Sequence, residues 1–334
     1  SHFAFGKQEV RERFVVEGSR AFACNYVYTN LIGNDAGRII YDGGAMIAAG
    51  GELVAEGKRF SFHDHDLVEA VLDIEHTRML QARTVSHRVL LGEAGDSVQS
   101  VDFNWARAGG ANTPRRREPV GKEEEFARAV GLGLFDYLRK SRSRGFVVSL
   151  SGGADSAAVA CLSQLAVQLA CAELGVDGVK RKLAYLDLPP EPDHWTAELL
   201  TCVYQATRNS STATSDAARS VADGLGATFY SWDVDTIVEG YKAIVGDALG
   251  CDWDWEEHDI TLQNIQARAR GPGVWMVANL RSALLLATSN RSESAVGYTT
   301  MDGDTCGGLS PVGGIDKAFL RHWLRWLETV DEDW

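Results

Sequence analysis

The stretch that most constrains this chain is Phe146-Val-Val-Ser-Leu-Ser-Gly-Gly-Ala-Asp-Ser-Ala-Ala-Val-Ala-Cys-Leu162. Phe146 to Leu150 reads as a short buried strand and Ser151, Gly152 and Gly153 as a turn. A helix then runs through Ala160, Leu165 and Leu169. Strand, glycine turn and helix together present backbone N–H groups to an anion at the helix N-terminus. The two glycines permit positive φ and let a ligand approach the backbone closely. Ser149, Ser151 and Ser156 add hydroxyl donors. Asp155 sets a carboxylate beside the anion, where it repels a phosphate unless a divalent cation lies between. A Gly-Gly pair alone would be an ordinary turn. With the serines and Asp155 at this spacing, the stretch points to a Mg²⁺-nucleotide site.

The stretch resembles the Ser-Gly-Gly-X-Asp-Ser loop of the ATP pyrophosphatase (PP-loop) superfamily. It is not a Walker A loop, because no Gly-X4-Gly-Lys-Ser/Thr occurs in the chain. The resemblance implies that Ser149, Leu150, Ser151, Gly152, Gly153, Ala154, Asp155 and Ser156 hold ATP and the pyrophosphate it releases on adenylating a substrate.

Composition narrows the classes. The 334 residues suit two domains with sizeable cores. A net charge of −13 disfavours an electrostatic nucleic-acid binder. No uninterrupted apolar run reaches about 18 residues, so no membrane span is expected, and no signal peptide is visible. Cys24, Cys161, Cys171, Cys202, Cys251 and Cys306 are scattered without a C-x-x-C pair. A reduced, cytoplasmic protein without structural zinc is the plain reading. The chain opens on Ser1-His2 without a Met and stops just beyond a helical pattern, as a piece of something longer would.

The first part reads as a meander of strands with one helix. The helix spans 7–22, with Val10, Phe14, Glu17 and Ala21 at helical spacing. Strands are expected at 24–32, at 38–49 and 52–60 around Gly50-Gly51, and at 67–74, with a turn at Asn34-Asp35-Ala36-Gly37. Cys24 sits in an apolar strand and reads as a buried thiol, not a nucleophile. His63 and His65 read as an exposed loop, not a metal cluster. Gly92, Gly95, Gly109-Gly110, Pro114, Arg115-Arg116-Arg117 and Pro119 mark 86–121 as a linker.

After the linker, strands and helices alternate. Helices are expected at 123–140 and at 215–225, the second capped by Thr214 or Ser215. Strands are expected at 146–150, 182–186, 201–206, 227–232 and 283–287. This pattern implies a parallel sheet with helices on both faces and ligands at the carboxyl ends of the strands. Phe319-Leu320, Trp323-Leu324 and Trp326-Leu327 form a helix stripe for a core or an interface.

Two further resemblances follow. Tyr28-Thr29-Asn30, Gly33-Asn34-Asp35 and Tyr41-Asp42-Gly43-Gly44-Ala45-Met46-Ile47 look like the C-terminal half of a carbon–nitrogen hydrolase (nitrilase-type) α-β-β-α sandwich. Asn264-Ile265-Gln266-Ala267-Arg268, Thr288-Ser289-Asn290-Arg291-Ser292-Glu293, Val296-Gly297-Tyr298 and Gly303-Asp304, taken with the loop, resemble NAD⁺ synthetase. The whole chain is similar to the glutamine-dependent NAD⁺ synthetase family.

The expected organisation is α/β: a partial nitrilase-type sandwich over 1–85, a linker over 86–121, and a doubly wound PP-loop (adenine nucleotide alpha hydrolase-like) synthetase domain over 122–334. The resemblance implies ATP-dependent amidation of deamido-NAD⁺ with ammonia, supplied from glutamine in complete enzymes. The family's Cys nucleophile, Glu base and Lys lie upstream of residue 1, so no glutaminase catalytic residue is carried over; Ser1 and Lys7 match positions that hold glutamine. Thr288 and Lys317 would meet ATP. Asn264, Arg268, Glu293, Tyr298 and Asp304 would face deamido-NAD⁺, and Asp155 and Glu293 are the candidate Mg²⁺ ligands. Taken alone, Glu293 or Asp304 would be a surface carboxylate and Arg268 half of a surface salt bridge. The family implies a homo-oligomer paired through the synthetase domain. Another PP-loop enzyme, or a non-catalytic nucleotide-binding fragment, remains open at this point.

Overall fold

The computed structural model of the chain describes residues 1–84 and 120–330. The stretch read as a linker, with its arginine triplet, lies almost wholly outside the described residues. The chain forms two compact units, residues 1–35 with 39–122 and residues 36–38 with 123–334.

In the first unit α1 (Lys7–Ala21) is followed by β1 (Asn25–Thr29), β2 (Ile32–Asp35), β3 (Ile39–Asp42), β4 (Ala45–Ala49), β5 (Glu52–Glu56) and α2 (Ile74–Arg83). β1, β4 and β5 form an antiparallel sheet in the order β1-β4-β5, and β2 and β3 pair as a hairpin. The expected strand at 38–49 is broken at Gly43-Gly44, so its halves join different sheets. Cys24 precedes β1 rather than lying in it and is half-buried. His63 and His65 are exposed.

α1 turns opposite to its apolar pattern. Phe14 is 72% exposed and Val10 is also exposed, while Arg11, Val15 and Ser19 are buried. The reason is ionic. Arg11 Nη1 donates to the fully buried Asp42, which also accepts from Arg59 Nη2 at 3.2 Å, from Asn30 Nδ2 at 2.6 Å and from the Gly44 N–H at 3.2 Å. A buried carboxylate needs such partners, and Arg11 can supply one only from the inner face. The expected strand at 67–74 does not form. Leu67 and Val71 are exposed, and Asp73 instead caps α2 by accepting from the His76 N–H at 2.9 Å.

The second unit holds α3 (Lys122–Ser141), β6 (Phe146–Ser149), α4 (Ala154–Lys182), α5 (Trp195–Leu199), β7 (Leu200–Ala206), α6 (Thr212–Leu225), β8 (Thr228–Asp233), α7 (Asp235–Leu249), α8 (Trp255–Arg281), β9 (Leu284–Leu286), α9 (Arg291–Val296) and α10 (Lys317–Leu327). Its sheet has the order β8-β7-β6-β9 and is parallel throughout. Val147, Val203 and Leu285 pack with Val274 and Ala278 of α8 in one apolar cluster. Phe146 and Val148 alternate with Val147 and are equally buried, as a sheet covered on both faces requires. The aromatic stripe on α10 serves the core: Trp323 and Phe319 meet Phe126 edge-on, each at 5.3 Å between ring centroids.

Two expectations here are corrected. Residues 182–186 are not a strand. α4 continues past a break at Gly175 to Lys182, and the following turn is held by Tyr185, whose hydroxyl donates to Leu138 O and Ser143 O at 2.8 and 3.0 Å. The cap of α6 is Ser211, which accepts from the Thr214 N–H. Among the described residues α4 alone is long and apolar enough to cross a membrane. Its buried Val159, Leu162, Leu165 and Leu169 make it a helix of this core.

Candidate active site

The strand order sets the location. The chain runs from β6 outward to β7 and β8, then returns to place β9 on the other side of β6. The strand order thus reverses at β6, and in a sheet of this kind the ligand crevice lies beyond the carboxyl ends of the strands at the switch, here β6 and β9. Ser151 follows β6 and Thr288 follows β9.

The loop after β6 is knitted by its own serines. The Ser151 N–H donates to Ser156 Oγ at 3.2 Å, the Gly153 N–H to Ser151 Oγ at 3.3 Å, and Ser156 Oγ to Gly153 O at 3.1 Å. Gly152 has φ +79°, and a Cβ there would lie 2.4 Å from Thr214 O. Only glycine satisfies both the torsion and the contact. No side chain caps the N-terminus of α4, so the loop delivers a bare helix end.

Beside this end lies a cavity of about 450 Å³ lined by Ser149, Leu150, Ser151, Thr288 and Asp304 among the expected residues. Gln205, Thr214, Gln266 and Arg270, which the sequence reading did not name as site residues, line it too. Gln205 Nε2 donates to Ser149 Oγ at 3.4 Å, and its Oε1 is buried without a partner. Arg270 lies two positions beyond Arg268 on α8, and that half-turn decides which cavity each residue lines.

Arg268 and Asn264 are elsewhere. Arg268 Nε donates to Met301 O at 3.1 Å, and Thr300 Oγ1 donates to Asn264 Oδ1 at 3.2 Å. Arg268 lines a second cavity, of about 470 Å³, with Tyr241, Trp275 and Asp302. Gly271 and Cys306 line both cavities.

Asp155, Glu293 and Lys317 converge. Lys317 Nζ lies 3.0 Å from Asp155 Oδ2 and 3.1 Å from Glu293 Oε1. The hydrogen bond to Asp155 pushes the Lys317 pKa up and Glu293 adds to it, against partial burial. Glu293 is fixed by a capping box, in which Asn290 Oδ1 accepts from the Glu293 N–H and Glu293 Oε2 from the Asn290 N–H. Asp155 Oδ1 is buried with no hydrogen-bond partner. Two carboxylates, one with an orphaned oxygen, are a donor set suited to a hard cation.

The other expected residues are spread. Asp304 Oδ2 accepts from the Thr300 N–H at 3.3 Å. The Tyr298 side chain is 79% exposed. Ser1 and Lys7 belong to the first unit. The Ser1 ammonium donates to Asn30 Oδ1 at 2.7 Å, and Lys7 opens α1.

Comparison with known proteins accords with this arrangement. A solved glutamine-dependent NAD⁺ synthetase from Cytophaga hutchinsonii is 43% identical, with a TM-score of 0.79 over 98% of this chain and 51% of that one. A second such structure, from Acinetobacter baumannii in complex with adenosine diphosphate, shares the fold at 22% identity and a TM-score of 0.71, over 99% of this chain and 50% of that one. The Homo sapiens glutamine-dependent NAD⁺ synthetase is 30% identical over 97% of this chain and 50% of its own length. The chain thus spans about half the length of the curated relatives it matches. A family model described as NAD synthase matches residues 127–332, and the chain belongs to the NAD synthase family.

Proposed function

We propose that the second unit adenylates the nicotinate carboxylate of deamido-NAD⁺ with ATP and transfers the acyl group to ammonia, yielding NAD⁺, AMP and pyrophosphate. The observation that carries this reading is the convergence of Ser149, Leu150 and Ser151, at the start of the loop, with Thr288 and α8 on one cavity at the sheet's switch point. An adenine nucleotide in this fold has a precedent in the Acinetobacter baumannii complex. ATP lies in the first cavity, with its phosphates at the start of α4. Deamido-NAD⁺ occupies the second cavity against Arg268, and its carboxylate meets the nucleotide where Gly271 and Cys306 are shared. Asn264 and Tyr298 border that ligand through the 298–304 segment, and Asp304 faces it from the lining of the first cavity.

A carboxylate oxygen attacks the α-phosphorus and the bond to pyrophosphate breaks. Ammonia then attacks the acyl carbon, loses a proton, and AMP leaves. A helix N-terminus supplies only roughly 0.3–1 kcal/mol per charge where exposed, so the phosphates need cations. Lys317 is one. Asp155 and Glu293 would hold Mg²⁺, which would supply the remaining charge neutralisation. Lys317, tied to both carboxylates in this structure, would then face the phosphates.

In the same reading residues 1–85 are the C-terminal half of a nitrilase-type glutaminase sandwich, with Ser1 and Lys7 toward glutamine; 86–121 is the linker and 122–334 the synthetase domain. Ammonia comes from glutamine in the complete protein. Exposed Ile237, Ile244 and Leu249 on α7 and Ile260 and Met276 on α8 favour pairing of two synthetase domains. Six free thiols suit a reducing, cytoplasmic setting.

The test of the nucleotide assignment is titration calorimetry with Mg²⁺-ATP on the wild type and Asp155→Ala. The variant is expected to lose the Mg²⁺-dependent part of the affinity; equal Mg²⁺ dependence in both would remove Asp155 from the site. AMP release with deamido-NAD⁺ but not with XMP or aspartate separates this reaction from those of other PP-loop enzymes.

A further inference from the structure

We propose, on the reading of the crevice given above, that Arg270 is a catalytic residue whose guanidinium binds the α-phosphate of the nucleotide. α8 turns one stripe to the first cavity: Gln266, Arg270 and Val274 recur at the i, i+4 spacing and all line it. Arg268, Ala269 and Pro272 line the second cavity instead. Among the described residues that line the first cavity, Arg270 is the only cation. Lys317 and Glu293 gather with Asp155 at the start of α4, and none of the three is in this lining.

The guanidinium is anchored but not neutralised. Arg270 is half-buried, and its Nε donates to Gln205 O at 3.4 Å. That carbonyl lies near the carboxyl end of β7, on a residue only 5% exposed, so the sheet fixes the acceptor. Gly273 lets α8 come this close, because a Cβ there would lie 3.2 Å from Gln205 Oε1 and 3.0 Å from the Trp232 ring. With Nε committed to the strand, Nη1 and Nη2 have no acceptor, and Arg270 has no carboxylate partner, among the described residues. A partly desolvated cation with open N–H groups is costly until an anion joins it. Its planar fork matches two oxygens of one phosphate.

Position selects which phosphate. Gly271, the next residue on α8, lines both cavities, where the nicotinate carboxylate meets the nucleotide. The phosphate that reacts at that border is the α-phosphate. As the carboxylate oxygen bonds to the α-phosphorus, the bond to pyrophosphate breaks and its electron pair leaves on pyrophosphate. The α-phosphoryl oxygens carry negative charge throughout, and donors already aimed at them stabilise the transition state without reorganising. No proton moves to or from Arg270, because a guanidinium stays charged. The same contact then holds the phosphate of AMP as it departs in the second step.

The experiment is titration calorimetry of the full chain, without Mg²⁺, against AMP and against adenosine, which lacks the phosphate. The wild type is expected to bind AMP about tenfold or more tightly than adenosine. Arg270→Gln is expected to keep the adenosine affinity and lose that preference, while Arg270→Lys, which keeps the charge but not the fork, retains part of it. Pyrophosphate release from Mg²⁺-ATP with deamido-NAD⁺ is expected to fall about a hundredfold in Arg270→Gln. A wild type that binds AMP no more tightly than adenosine overturns the proposal without any variant, and so does an undiminished preference for AMP in Arg270→Gln. Pyrophosphate release at the wild-type rate in that variant overturns the catalytic role and leaves the reaction standing. A wild type whose preference for AMP depends on Arg270 but which releases no pyrophosphate overturns the reaction and leaves the phosphate contact standing.

Discussion

The ammonium of Lys317 is shared by two carboxylates; of the two oxygens it leaves out, Glu293 Oε2 accepts from the Asn290 N–H and Asp155 Oδ1 is buried without a partner. In the proposed reading a triphosphate and its cation would satisfy both features, which gives the residue a specific consequence. Lys317→Met is expected to weaken Mg²⁺-ATP binding about tenfold, roughly 1.4 kcal/mol, in calorimetry. Unchanged affinity would reduce the ammonium to a tie between α10 and α4.

Asp42 makes a separate prediction. Burial alone would raise its pKa, but the hydrogen bond from Asn30 and the Arg11 and Arg59 guanidiniums hold it below the usual carboxylate range. A depressed carboxyl contributes stability above its unfolded pKa and loses it as the pH falls through the folded value. Asp42→Asn is expected to cost about 3–5 kcal/mol at neutral pH, because two guanidiniums lose their anion. Urea titrations should show the wild type and the variant converging below the carboxylate range; a constant gap would contradict the assignment. Legibility at this scale followed locality. The turn made by Ser151 and Ser156 was readable because their partners lie within one loop, whereas Asp155 meets Lys317 only through the fold. Gln205 and Arg270 were not, because only the folded sheet brings them to Ser149.

At the scale of elements, the turn between β6 and α4 depends on a single torsion. Gly152→Ala places a methyl group against Thr214 O in a backbone region that costs L-residues about 1–2 kcal/mol. ATP affinity is expected to fall about tenfold or more while the far-UV circular dichroism stays unchanged. Wild-type affinity in that variant would show that the loop tolerates the Cβ.

The expected strands that failed did so for tertiary reasons. Leu67 to Ile74 is apolar and rich in branched residues, but these find no sheet to bury them, and Asp73 starts a helix. Residues 182–186 follow a helix that outlasts a glycine break, and Tyr185 uses its hydroxyl to hold a turn. α1 presents Phe14 outward because Asp42 requires Arg11 inward. Periodicity records where apolar residues fall, not which face an ion pair claims.

At the scale of the molecule, alternating strands and helices were enough to expect a parallel sheet, since a crossover returns each strand in the same direction. The order β8-β7-β6-β9 was not legible, because nothing local states that β9 joins the far side of β6. That placement is what opens the crevice. The exposed apolar side of α7 makes a prediction of its own: the wild type is expected to sediment as a dimer or larger, and Ile244→Asp as a smaller species. A monomeric wild type would overturn the pairing.

The most direct test of the central claim supplies this chain with Mg²⁺-ATP, deamido-NAD⁺ and ammonium chloride and measures pyrophosphate and NAD⁺ together. The expected result is release of both in equal amounts, abolished by Asp155→Ala. Pyrophosphate without NAD⁺, or neither product from a chain that binds both substrates, would contradict the assignment of the crevice as a synthetase site.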